Sequence, residues 1–243
     1  MSAIEVLFDF NLIPIIFTLL SWIALGYIAF KLYTKQKVKL KLWKVLVTII
    51  VGLFSFSINV YWFDLLLRLA ILPLGVWFLY FILKSKENRW ERYRSFVWLG
   101  FWSNYIFLAF ALLSVPFQQW FYPKDQLSTY LSQVENPELI SIHPAAKDQQ
   151  VFQTEKYFDQ LDTMKKDRVF NDEWYTEYYL ETEPAERNER FPYQLTGTGS
   201  KWGSGLHSMI YVEEDGKGIL VTTSDRQLYF RTDASLIDEG GSQ

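Results

Sequence analysis

Three long apolar stretches occupy the first half of the chain, at residues 10–30, 45–83 and 95–122. A helix rising about 1.5 Å per residue crosses a hydrocarbon core of roughly 30 Å in about 20 residues. The first and last stretches each suffice for one crossing. The middle stretch is nearly twice that length and is interrupted only by Asp64 and Arg68, so it has to fold back, with its turn between Asn59 and Arg68. The pattern predicts four transmembrane helices, at residues 10–31, 45–62, 65–83 and 95–116, with Pro116 ending the last, in a membrane domain spanning residues 1–122.

Beyond Pro123 the periodicity changes. Leu127, Tyr130, Leu131 and Val134 recur at helical spacing and predict a helix over residues 124–135, which Asn136 and Pro137 terminate. Tyr157, Phe158, Leu161 and Met164 predict a second helix over residues 152–165. Alternation of period two predicts strands at residues 139–142, 174–180, 190–195, 207–213, 219–223 and 227–231. Asp215-Gly216 between two such runs signals a hairpin, and the tail from residue 237 reads as frayed. The expected fold class is therefore an α-helical integral membrane protein: four transmembrane helices followed by a small α+β extracytoplasmic domain, residues 123–243, with an antiparallel sheet.

Charge gives this arrangement a direction. Residues 1–122 carry a net charge of +7 and residues 123–243 a net charge of −10, which together make the overall −3. The positive charge lies in two clusters, Lys31 to Lys44 and Lys84 to Arg94. The positive-inside rule places both on the cytoplasmic side, which requires an even number of crossings between them and leaves both termini outside. The segment before the first span carries Glu5 and Asp9 and no Lys or Arg, unlike the basic start of a cleaved signal peptide. With no cysteine in the chain and no Asn-x-Ser/Thr sequon after Pro123, the expected location is a bacterial cytoplasmic membrane.

Candidate chemistry is sparse. Asp64 and Arg68 stand four apart, the spacing of an ion pair on a helix, at the outer turn of the hairpin. Asn59, Asn104, Ser55, Ser57 and Ser103 are suited to bonding between helices, whereas Gly26, Gly52, Gly75 and Gly100 are single and scattered. His143 and His207 are the only histidines and are far apart in sequence. Trp174, Tyr175, Tyr178 and Tyr179 would make an aromatic platform if exposed, but a sheet turns half of them inward. Glu181, Glu183, Glu186 and Glu189 form an acidic loop without Ca²⁺-loop spacing. The most unusual stretch is the run from Gly197 to Gly205. It lacks phosphate-loop spacing, yet its glycines permit close backbone approach and its tryptophan offers contact area. The run reads first as a plain flexible strand connection; the alternative is a binding loop, with Gly199, Lys201, Trp202 and Gly203 as the candidate ligand-binding residues.

These features favour a non-enzymatic bacterial membrane protein whose outer domain senses, binds or scaffolds at the cell envelope. The alternatives are an extracytoplasmic hydrolase or enzyme accessory using carboxylates with His143 or His207, and a small transporter subunit. The expected partners are the lipid bilayer and another membrane or envelope protein. The acidic outer half argues against nucleic acid, and no catalytic residue, metal or cofactor is expected.

Overall fold

A computed structural model of the chain describes residues 10–36, 38–62, 65–85, 88–144, 146–147, 149–161, 163–169 and 189–239. They form two compact units. One is Leu12–Gln118, and the other combines Met1–Asn11 with Gln119–Gln243.

Among the described residues of the first unit, two helices are long and apolar enough to cross a membrane, by length and composition: α1 (Leu12–Thr34) and α4 (Arg89–Phe121). On α1, Leu19, Ile23, Tyr27 and Phe30 make a largely exposed apolar stripe, while Ile13, Ser21 and Leu25 are buried. Helix α4 runs through Pro116 to Phe121 instead of stopping at the proline. A proline removes one hydrogen bond of the helical ladder, and near a helix end that loss is tolerated.

The expectation of four transmembrane helices fails between the two basic clusters. That stretch folds as a short helix α2 (Leu42–Gly52), strands β1 (Phe56–Trp62) and β2 (Leu65–Leu72), and a second short helix α3 (Leu74–Lys84). Eleven helical residues extend only about 16 Å, half the hydrocarbon core. The strands pair antiparallel, with Ile58 opposite Leu69 and Val60 opposite Leu67. Pro73 then stands as the N-cap of α3, where its missing N–H costs nothing. Among the described residues this ribbon has two strands, so the outer edge of each lacks a ladder partner. Hydrocarbon does not accept unpaired backbone groups, and the ribbon is not by itself a spanning element. Arg68 faces Asn59 across the ladder rather than pairing along a helix, and Asp64 lies outside the described residues.

Three of the scattered glycines converge. A Cβ on Gly52 would lie 2.3 Å from the Val97 carbonyl oxygen, one on Gly100 2.2 Å from that of Ile49, and one on Gly75 1.8 Å from that of Val51. Helix α2 thus meets both α3 and α4 at backbone contact distance, the small-residue packing that helix association in lipid relies on. Asn104 Nδ2 donates to the carbonyls of Leu53 (3.1 Å) and Phe101 (2.9 Å), and the Tyr105 hydroxyl to that of Ala70 (2.6 Å). Carbonyls left over at the ends of α2 and β2 are satisfied in this way.

The second unit is built on a six-stranded antiparallel sheet: β3 (Gln133–Ser141), β6 (Tyr193–Gly199), β7 (Met209–Val212), β8 (Gly218–Thr222), β9 (Gln227–Arg231) and β5 (Lys165–Asp167), in that spatial order. Ile210, Val212, Ile219, Val221, Leu228 and Phe230 project to one face. There they pack with Leu127, Tyr130 and Leu131 of the α5 region (Leu127–Tyr130) and Tyr157 of α6 (Thr154–Gln160). Leu220 and Tyr229 project to the other face, against Phe191, Val169 and Tyr211.

Two expectations are corrected here. The helix predicted over 124–135 shrinks to α5, because Leu127, Tyr130 and Leu131 are buried by one turn, after which the chain extends into β3. Strand β3 is an edge, so Pro137 removes no ladder bond that the sheet needs, and the register shifts between Val134 and Glu138. The supposedly frayed tail forms β10 (Ile237–Glu239), paired with β4 (Gln150–Phe152), because Leu236 and Ile237 are buried in the main core. The predicted strand 174–180 and the acids Glu181, Glu183 and Glu186 lie outside the described residues.

The core contains buried tyrosines whose hydroxyls find partners. Tyr157 donates to the Leu131 carbonyl at 2.5 Å and Tyr130 to that of Lys124 at 3.0 Å. Burial pushes the hydroxyls of Tyr130 and Tyr157 above the ordinary value of about 10. Burial likewise pushes Tyr229 up to about 12, with its hydrogen bond to Glu213 acting in the same direction. Between pH ~10 and ~12 the unfolded chain therefore releases tyrosine protons that the folded domain retains. The contribution of these tyrosines to stability is expected to be constant below pH ~10 and to fall as pH rises through this window, with tyrosinate absorbance appearing together with unfolding. Free titration of these hydroxyls at pH ~10 with the fold intact would contradict it.

Candidate functional site

The glycine-rich loop after β6 lines a groove of about 320 Å³, together with Phe10, Tyr130 and Gln133. Gly199, Lys201, Trp202 and Gly203 all lie on its wall, and so does His207 but not His143.

Flexible connection describes this loop poorly, because its backbone is pinned where it leaves β6. The Lys201 N–H donates to the Thr129 carbonyl (2.9 Å), and Gly199 accepts from the Ser132 N–H (3.0 Å). Within the loop, the Ser204 N–H donates to the Lys201 carbonyl (3.0 Å) and the Leu206 N–H to Ser204 Oγ (3.2 Å). Gly203 takes φ +77°, the left-handed turn conformation that glycine adopts without strain. Ser204 also forms an isolated antiparallel bridge with Asn11.

The side chains are committed as well. Lys201 Nζ donates to the carbonyl of Phe121, the last residue of α4, at 3.1 Å. A cation there satisfies an orphan carbonyl at the negative end of the helix dipole. The Tyr122 hydroxyl donates to the Trp202 carbonyl at 3.0 Å, and Lys201 Nζ lies 5.7 Å from the Tyr122 ring centre. The Trp202 ring lies tilted against Phe10, with ring centres 5.6 Å apart, but stays 66 % exposed. So the loop is a preorganised support that spends its lysine and several N–H groups internally and presents an indole outward.

A second cluster escaped sequence reasoning. Glu213, 8 % exposed, lies just beyond β7 and faces three donors. Arg190 Nε reaches Oε1 at 2.6 Å, while the Tyr229 hydroxyl and an Arg231 guanidinium nitrogen both reach Oε2 at 2.5 Å. Arg231 also pairs with Asp215 at 2.7 Å, and Arg190 bonds the Val169 carbonyl. Both oxygens of this carboxylate are thus taken up by charge-assisted or phenolic hydrogen bonds, which leaves it a structural anchor within the network. The network fixes the turn joining β7 to β8. The available signal was parity: Tyr211 and Glu213 share one face with Tyr229 and Arg231.

Among the described residues, no three His, Asp or Glu side chains converge as a metal site. No protein-family model, curated protein or solved structure matches the chain.

Proposed function

We propose that this chain is a bacterial cytoplasmic-membrane protein crossing the bilayer with α1 and α4, both chain ends extracytoplasmic. We further propose that its C-terminal domain is a non-enzymatic binding or scaffolding module at the envelope. Two crossings return the chain to its starting side, and the two lysine- and arginine-rich segments between them favour that side as the outer one. The observation that carries the binding role is the exposed Trp202 indole on a loop whose backbone and lysine are already tied down. Rigid aromatic groups supply contact area at little entropic cost, as interface anchors do. The engagement of the Glu213 carboxylate by arginines supports a structural role for this buried acid.

The absence of cysteine makes the test clean. Asp233→Cys in intact cells should react with a membrane-impermeant maleimide, and Lys39→Cys only after permeabilisation. The reverse pattern would invert the topology. A photo-crosslinking residue at position 202, in native membranes, should give adducts that the same residue at position 233 does not. Equal, background-level yields at both would remove the binding role from this loop.

A further inference from the structure

Trp202 is not alone. Phe10, Trp120, Phe121 and Trp202 are all exposed, Trp120 to 76 %. Phe10 and Asn11 immediately precede α1, and Trp120 and Phe121 are the last residues of α4. The Phe10–Trp202 ring contact, the Asn11–Ser204 bridge, the Lys201–Phe121 bond and the Tyr122–Trp202 bond gather these chain positions around one loop. The aromatic residues that flank the two apolar helices therefore share a patch with a tryptophan delivered from about 80 residues further along the chain.

Aromatic rings, tryptophan above all, favour the headgroup layer of a bilayer, where the ring is half-desolvated and its N–H stays wet. A soluble domain gains nothing by exposing so many rings together, whereas a domain whose chain enters and leaves the membrane at this patch gains burial for each. We propose that the partner of the Trp202 face is the interfacial layer of the bilayer itself. Phe10, Trp120, Phe121 and Trp202 form one aromatic band at headgroup depth, and the pinned loop serves to hold the Trp202 ring in it. Lys201 gives one of its three N–H donors to the Phe121 carbonyl and keeps its charge, but the rings themselves are uncharged, so the band should seat in zwitterionic as well as anionic bilayers. The inference rests on the membrane reading of α1 and α4.

Depth measurement tests the two separately. Single nitroxide labels are placed through Leu19→Cys, Trp120→Cys, Trp202→Cys and Asp233→Cys in the full chain. Each variant is reconstituted in vesicles of phosphatidylcholine, with and without phosphatidylglycerol. Labels at 120 and 202 should report the same shallow depth in both lipids, with collision by an aqueous nickel chelate several-fold lower than at 233. The label at 19 should respond to oxygen and scarcely to nickel. A label at 19 that behaves as aqueous overturns the membrane reading. A deep label at 19 with labels at 120 and 202 as aqueous as 233 overturns the aromatic band alone. Protection at 202 that vanishes when protein is diluted in lipid assigns the face to a second copy, and also overturns the proposal.

Discussion

Gly75→Ala is expected to cause the largest loss of stability of any single methyl group added to the Leu12–Gln118 unit. The new carbon would lie 1.8 Å from the Val51 carbonyl oxygen and 2.8 Å from the carbonyl carbon, and both are backbone atoms. No rotamer change relieves such a contact, so α2 and α3 must separate. The Gly75 N–H bond to the Phe54 carbonyl, 2.8 Å, is strained with them. Overpacking typically costs 1–3 kcal/mol, and a clash with rigid backbone belongs at or above the top of that range, about 3 kcal/mol. Gly52→Ala and Gly100→Ala should follow in the same direction, because their clashes are also with carbonyl oxygens. Gly26→Ala is the internal control. Nothing lies within 4 Å of its added carbon, and helix propensity predicts a gain of up to about 1 kcal/mol. Unfolding in micelles, followed by circular dichroism, measures all four. Equal midpoints for Gly75→Ala and Gly26→Ala would refute the close crossing.

Glu213→Ala should be the most damaging side-chain truncation in the C-terminal domain. It removes the common acceptor of Arg190, Arg231 and Tyr229, and takes the Glu213 carboxylate away from a guanidinium group that is only 13 % exposed. Breaking a buried pair on one side costs about 3–5 kcal/mol when both partners are enclosed. Arg231 is 40 % exposed and recovers water, so about 3 kcal/mol is the better expectation. Glu213→Gln keeps the shape and one acceptor oxygen and should lose less than Glu213→Ala. Urea unfolding of the full chain in micelles, read through the near-ultraviolet tyrosine signal, decides between them. A variant Glu213→Ala as stable as the parent would mean that the network contributes nothing. Gly218→Ala offers an independent check, since its Cβ would fall 1.9 Å from Glu213 Oε2.

The parts of this fold that sequence patterns foretell are those where one local signal suffices. Helices α1 and α4 are uninterrupted apolar runs of spanning length, and strands β7, β8 and β9 alternate sharply around an Asp-Gly turn. Residues 45–83 depart from the helical expectation because hydropathy records how apolar a segment is and nothing about how its backbone is paired. A finer signal was present, since Ser55, Ser57 and Asn59 alternate with Phe56, Ile58 and Val60, the period of a strand and not of a helix. Pro73 marked the restart of the helix. The convergence of Gly52, Gly75 and Gly100 has no local signature, because each clash involves a carbonyl from another element. The same holds at the candidate site. Gly199, Lys201, Trp202 and Gly203 stood out by composition, but the use of Lys201 as a helix cap depends on Phe121, 80 residues away. Glu213 passed unnoticed because a lone acid beside a turn is commonplace until its arginines are located.

The Asn11–Ser204 bridge also bears on the order of events during synthesis. The unit that contains it takes residues from both ends of the chain, with the whole of Leu12–Gln118 between them. At about 5–20 residues per second, Asn11 emerges roughly 10 to 40 s before Ser204 exists. Throughout that interval the start of α1 has no native partner in the domain it will join, and the Phe10 ring has no Trp202 to lie against. The C-terminal domain therefore closes only after the chain between has been made. A ribosome stalled before residue 199 holds a first helix already synthesised and a domain that cannot yet be completed.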